Sequence, residues 1–152
     1  MRELSLHILD IMENSIEAGG SFIKLTIIED IAGNSLIIKI EDDGRGMNEK
    51  EQRDAVKPFW TTRTTRDVGL GIPLFKEASR QCNGDFKLKS SPGKGTEITA
   101  EFEYDHIDRA PLGNIPATIS GFIAANPDLD FKYKHIYNDK IFLFSTEAIK
   151  KE

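Results

Sequence analysis

Between Leu4 and Gly19 the sequence LSLHILDIMENSIEAG repeats its apolar residues every three to four positions, and from Phe22 the repeat drops to two. This switch constrains the chain more than any other feature, because the first period belongs to a helix laid on a core and the second to a strand with one buried face. At about 100° per residue, Leu4, Ile8, Leu9, Ile11, Met12 and Ile16 gather on one broad face. His7, Asp10 and Asn14 share an opposite flank. Asp10 and Asn14 are four apart, hence neighbours one turn along the helix, and they offer a carboxylate and an amide oxygen to one spot. Those are hard oxygen donors of the kind Mg²⁺ prefers.

Gly19-Gly20 stops the helix, and Ile23, Leu25 and Ile27 then alternate along a strand from Phe22 to Glu29. Ala32-Gly33-Asn34 turns the chain into a second strand carrying Leu36, Ile38 and Ile40 on one side, which makes a hairpin with one buried face. Asn48, with Glu51 three residues on, predicts a capping box for a short helix to about Val56. Lys57 to Asp67 is polar, rich in threonine and arginine, and reads as a mobile loop. From Gly69 the helical period returns, with Leu70, Leu74 and Ala78 on one side, Pro73 in the first turn and Asn83-Gly84 closing the helix. Phe86 to Leu88 and Ile98 to Phe102 form another hairpin joined through 90–95. In the last third, Ala110 to Pro116 reads as a loop and Ala117 to Ala125 as a short helix. Phe131 to Ile136 with Ile141 to Phe144 make a final hairpin around Asn138-Asp139. This order predicts an α/β (α+β) two-layer sandwich, a mixed and mostly antiparallel sheet with helices on one face. We divide the chain into a core of residues 1–104 and an extension of 105–152, packed on that core or used for partner contact.

Composition excludes several classes. A net charge of −5 argues against broad nucleic-acid binding and against attraction to anionic membrane. The single cysteine, Cys82, allows no internal disulfide and suits a reducing cytosol. No apolar run approaches the roughly 18 residues of a membrane span, and Met1-Arg2-Glu3 leads into the helix without a signal-peptide core. These features predict a cytoplasmic protein. His106 and His135 lack metal-ligand company and read as incidental.

The chemistry concentrates in two glycine-bearing stretches. Asp42-Asp43-Gly44-Arg45-Gly46 follows a strand and precedes a helix, so it is either a plain turn or a carboxylate followed by glycines that let a ligand approach the backbone. A carboxylate at a strand end suits an exocyclic amine such as that of adenine. Gly69-Leu70-Gly71 opens a helix whose free N–H groups and dipole suit phosphates. Thr61, Thr62, Arg63, Thr64, Thr65 and Arg66 just upstream supply hydroxyls and guanidiniums for a polyphosphate. The spacing fits neither a dinucleotide fingerprint nor a P-loop.

Taken jointly, the pieces resemble the ATP-binding domain of the GHKL superfamily, the Bergerat-type fold of gyrase, the large heat-shock chaperones, histidine kinases and MutL. Asp10-Ile-Met-Glu-Asn14-Ser-Ile-Glu-Ala18-Gly19 resembles the N-box in its MutL wording, and Asp42-Asp-Gly44-Arg-Gly46 the first glycine box. Pro58-Phe59-Trp60-Thr61-Thr62-Arg63, Gly69-Leu70-Gly71 and Pro92-Gly93-Lys94-Gly95-Thr96 are similar to the phenylalanine, second glycine and terminal Gly-Thr boxes of histidine kinases. The resemblance implies that Asn14 holds Mg²⁺ against the phosphates, that Asp42 binds the adenine amino group, and that Gly44 and Gly46 shape the base pocket. It further implies that Gly69 and Gly71 meet the phosphates, that Phe59 packs beside the lid and that Thr96 supports the adenine contact. Met47, Thr61, Thr62, Arg63 and Leu70 join the ATP-binding set. The hydrolysing members place a glutamate as general base four residues before the magnesium asparagine, where this chain has the shorter Asp10. Histidine kinases start the second glycine box with another glycine where this chain has Asp67, and their phosphoacceptor histidine lies upstream of the N-box. His7 lies on the nucleotide helix itself and reads as a histidine packed at the site's edge.

Three functions are in view. The first is a Mg-ATP-binding module lacking its own phosphoacceptor domain, an ATPase or regulator read out by a separate protein partner or as a homodimer. The second is a protein kinase acting in trans on a histidine or serine, as anti-sigma-factor kinases do. The third is a binding scaffold with a decayed site, against which Asn14, Asp42, Gly44 and Gly46 argue.

Overall fold

The computed structural model describes residues 2–57 and 71–146. Its elements in chain order are α1 (Leu4–Glu17), β1 (Phe22–Asp30), β2 (Ser35–Asp42), α2 (Glu49–Ala55), α3 (Gly71–Gln81), β3 (Phe86–Ser91), β4 (Gly95–Glu103), α4 (Ile115–Ala125), β5 (Asp130–Tyr137) and β6 (Lys140–Ser145). The strands form one six-stranded sheet in the order β3-β4-β2-β1-β5-β6. Four of the neighbouring pairs are antiparallel and one, β1 with β5, is parallel. The fold is the mixed, mostly antiparallel α/β sandwich that the periodicities predict.

Register explains the core. Leu25 pairs with Ile40 and Ile27 with Ile38 across β1 and β2, and Ile38 meets Ala100 and Ile40 meets Ile98 on β4. All are buried on one face, onto which α1 lays Leu4, Ile8, Ile11 and Met12. A buried side chain of this size contributes about 1.5–3 kcal/mol. Asn48 caps α2 through the expected box, its side chain accepting from the Glu51 N–H while the Glu51 carboxylate accepts from the Asn48 N–H.

Helix α3 buries Ile72, Phe75 and Ser79, while Leu74 and Ala78, which the period places on one side, are half-buried. The reason is Phe75, which fills the junction of helix and sheet with its ring 6.0 Å from Phe102 and 6.4 Å from Phe86. Helix α4 starts at Ile115, before the expected Ala117, because Asn114 accepts from the Ala117 N–H and Pro116 fits the first turn. Strands β3 and β4 run on to Ser91 and from Gly95, leaving a shorter turn than expected.

Residues beyond 105 complete the sheet. Strand β5 pairs with β1 from Phe22 to Glu29, with Phe131 and Tyr133 buried together with Ile115, Ile119 and Phe122 of α4. His135, which reads as incidental in the sequence, is tied into this seam instead. Its Nε2 lies 2.6 Å from the Glu29 carboxylate of β1, its Nδ1 meets the Tyr133 hydroxyl, and Tyr104 donates to the other Glu29 oxygen at 3.0 Å. Burial, aided by the Glu29 charge, pushes the Tyr133 hydroxyl up to about 12. Cys82 is buried, and burial raises its thiol. Among the described residues no helix is long and apolar enough to cross a membrane.

Candidate functional site

The last two turns of α1 form a wall shared by two groups of residues. On one side is Asp42, the last residue of β2, paired in register with Ile23 on β1 and Thr96 on β4. Its Oδ2 accepts from the Ser15 hydroxyl at 2.7 Å and its Oδ1 from the Gly44 N–H at 2.9 Å. The carboxylate is therefore fixed at the mouth of the sheet with lone pairs to spare.

Asp43, the adjacent acid, does something different. It accepts from the Ser21 and Phe22 N–H groups at 2.8 and 2.9 Å and from the Ser21 hydroxyl at 2.9 Å, stapling the loop to the start of β1. Burial works to raise its carboxyl, but the hydrogen bonds from Phe22 and Ser21 outweigh it and hold the group below the ordinary 3.8.

The loop after Asp42 is clamped between α1 and the β3–β4 hairpin. The Arg45 N–H donates to Ala18 O at 2.9 Å, and Arg45 O accepts from the Gly93 N–H at 2.7 Å. Gly46 has φ +72°, and a Cβ there would lie 2.0 Å from Ser91 O, so the two backbones touch only because the position is glycine. The Met47 N–H donates to Ser90 Oγ at 2.8 Å. Ser90 Oγ lies 2.8 Å from Thr96 Oγ1, and Gln52 Nε2 donates to both Met47 O and Ser90 O at 3.0 Å. Thr96 thus reaches the glycine loop through Ser90.

On the other side of the wall, Asp10 and Asn14 face the start of α3. A Cβ on Gly71 would lie 3.1 Å from the Asp10 Cβ and 3.6 Å from Asn14 Nδ2. That Asn14 nitrogen is buried and has no hydrogen-bond partner among the described residues. Asp10 is half-exposed and paired with the Arg2 guanidinium.

His7 is packed at the edge of the site, as its place on α1 leads one to expect. It is buried and stacked on Phe75 at 5.7 Å, because α3 packs beside α1 along the flank next to its apolar stripe, while the far side of α1, with Leu6, Glu13 and Glu17, stays exposed. Burial lowers its pKa from 6.5, the Arg2 charge lowers it further, and Asp10 opposes both.

The structure thus brings together Asp10, Asn14, Asp42, Gly44, Gly46, Met47, Gly71 and Thr96 around the end of α1. Phe59, Thr61, Thr62, Arg63, Gly69 and Leu70 lie outside the described residues. The sequence reading missed Ser15, Ser90 and Gln52 as supports. Ser15 was legible: it falls at the next position of the stripe Ile8, Ile11, Met12, where a hydroxyl on a buried face needs a partner. Ser90 and Gln52 carried no such signal, since Ser90 meets Thr96 through strand register and Gln52 reaches Ser90 O from a helix distant in sequence.

The family described as histidine kinase-, DNA gyrase B-, and HSP90-like ATPase matches residues 2–106. Sporulation kinase C of Bacillus subtilis is 30% identical over 88 residues, covering 58% of this chain and 20% of that protein. Sensor protein kinase FleS of Pseudomonas aeruginosa is 35% identical over 108 residues, covering 71% and 26%. The chain therefore spans about a fifth to a quarter of the length of these relatives. The MutL ATPase domain of Aquifex aeolicus, solved in complex with ADP, is similar in fold with a TM-score of 0.57 at 11% identity, over 95% of this chain and 63% of that one. Glycine-loop clamp, shared helix wall and family match agree, and the chain belongs to the histidine kinase-, DNA gyrase B- and HSP90-like (GHKL) ATPase family.

Proposed function

We propose that this domain binds ATP with Mg²⁺ and uses bound nucleotide to act on or signal to a separate protein. The observation that carries the reading is the Asp42 carboxylate, held by Ser15 and Gly44 beside the end of α1. Acceptor capacity left on such a carboxylate fits the exocyclic amine of adenine, whereas guanine presents a carbonyl oxygen at that ring position. Phosphates would extend along α1 toward Gly71, where the helix start supplies N–H groups. The MutL domain's complex with ADP supports the same class of ligand.

Asn14 fits a role as Mg²⁺ ligand, because its buried Nδ2 has no partner among the described residues and faces Gly71, and its hard oxygen exchanges places with that nitrogen when the amide turns over. Among the described residues no group of three or more acidic, histidine or cysteine side chains gathers to hold a metal. One protein ligand completed by phosphate oxygens and water is the Mg²⁺ pattern. The ion, when bound, would neutralise phosphate charge.

Two outcomes follow for bound ATP. If water attacks, Asp10 is the base on hand, yet its pairing with Arg2 engages the carboxylate. This favours the second reading, transfer of the γ-phosphoryl to a histidine or serine of another protein, and the kinase names of the curated relatives support it. The test is incubation of the full chain with Mg²⁺ and γ-labelled ATP, with and without lysate of the source cell, beside Asp42→Asn. Label on a second protein, lost in the mutant, is the result expected of the kinase; free phosphate alone marks an ATPase. Wild-type ATP affinity in Asp42→Asn, or no Mg-dependent affinity in the native chain, sinks the proposal.

A further inference from the structure

The two edges of the sheet are unlike. Edge strand β3 carries exposed Lys87 and Lys89, charges of the kind that keep a sheet edge from pairing with another. Edge strand β6 carries a lysine only at its first position, Lys140, and no charge from Ile141 to Ser145. Its sequence is Lys-Ile-Phe-Leu-Phe-Ser, and Ile141, Phe142 and Leu143 are 61%, 58% and 69% exposed. Successive residues of a strand face opposite ways, so apolar surface is presented on both faces of one edge. On the helix side Phe142 rests edge-on against Tyr133 at 5.8 Å, and on the other side Leu143 pairs in register with Lys134 and Ile141 with Ile136. Strand β6 also lies beyond the residues matched by the family, which end at 106.

We propose that β6 pairs antiparallel with β6 of a second copy of this chain, joining the two sheets edge to edge about a two-fold axis through Phe142. A two-fold normal to the sheet puts both helix layers on one side, so residues that oppose each other must share a face. Centred on Phe142, the pairing sets Phe142 against the partner's Phe142 and Ile141 against the partner's Leu143. All three exposed apolar residues then meet one another. Centred on Leu143, it would set Ile141 against a serine, and the match is poorer. Charge is also compatible: the strand's one ionic residue, Lys140, opposes Phe144 of the partner subunit and no second cation. The occupant is thus a second copy, since the strand complements itself in a register that its own sequence selects.

The experiment measures mass by sedimentation of the purified full chain, wild type beside the double variant Ile141→Lys, Leu143→Lys, which opposes lysine to lysine across the pairing. The wild type is expected near twice 17.1 kDa at hundred-micromolar concentration and the variant at the monomer mass, with circular dichroism and melting temperature retained. Because a variant can fail by unfolding, a second arm uses Phe142→Cys. Opposed residues in an antiparallel pair have Cα atoms about 4.5–5.5 Å apart, within disulfide reach. Mild oxidation is expected to cross-link Phe142→Cys at least about tenfold faster than Ile107→Cys, a residue 89% exposed elsewhere on the surface, and the native Cys82 is buried. A monomer at every concentration, a dimer that survives the lysine pair, or equal cross-linking at the two cysteine positions each overturns the proposal.

Discussion

Replacing Ser15 with alanine tests the central geometry of the site. Ser15 is 3% exposed, and its hydroxyl has one hydrogen to give and two acceptors in range, Asp42 Oδ2 at 2.7 Å and Ile11 O at 3.3 Å. The shorter contact is to a charged oxygen, so the hydrogen goes to Asp42. A hydrogen bond to a charged group contributes about 1.5–3 kcal/mol, and the half-exposure of Asp42 puts this one at the lower end, about 1.5 kcal/mol. Ser15→Ala is therefore expected to lower unfolding free energy by about 1–2 kcal/mol in a urea titration. It leaves Asp42 oriented by Gly44 alone, and ATP affinity measured by calorimetry is expected to weaken by about tenfold. A double-mutant cycle with Asp42→Asn isolates the pair, and a coupling of about 1 kcal/mol is expected. Simple additivity of the two substitutions, or a Ser15→Ala chain with native stability and native affinity, would refute the reasoning.

Further predictions address the frame. Gly46→Ala is expected to cost more than Gly93→Ala in melting temperature: both residues have positive φ, but a Cβ at 46 meets Ser91 O at 2.0 Å while one at 93 meets nothing within 4 Å. The Gly93 variant carries only the conformational cost of about 1–2 kcal/mol, and equal losses would remove the close-approach argument. His7 has a folded pKa below its ordinary 6.5, so the unfolded chain takes up its proton first as pH falls. Stability is full above about 6.5 and declines on acidification below it, and His7→Phe is expected to flatten that part of a stability-against-pH curve. Phe131→Ala is expected to cost about 3–5 kcal/mol, since the ring is fully buried between α4 and β1. A loss under about 1 kcal/mol by denaturant titration would show that residues after 105 contribute little to the core.

The α1 stripe, the first hairpin and the α2 capping box were legible in the sequence because each depends on neighbours within a few positions, where period and cap chemistry act. The site was legible in part for the same reason: Asp10 and Asn14 share a helix turn, and the glycines of 42–46 mark a strand end whatever lies opposite. Contacts between distant segments decided the rest. Whether Leu74 or Phe75 faced the core depended on the space left by Phe86 and Phe102. His7 was legible as a packed residue, but its partner Phe75 came only with the placing of α3 beside α1, and His135 acquired partners only when β5 took its place beside Glu29 of β1. Of two adjacent acids, Asp42 faces Ser15 and Asp43 staples β1, a division set by the alternation of side chains at the end of a strand already fixed by its pairing. Local spacing determined which elements form and where their chemistry lies. Register and helix packing decided which side chains meet, because those depend on chain segments that periodicity does not relate.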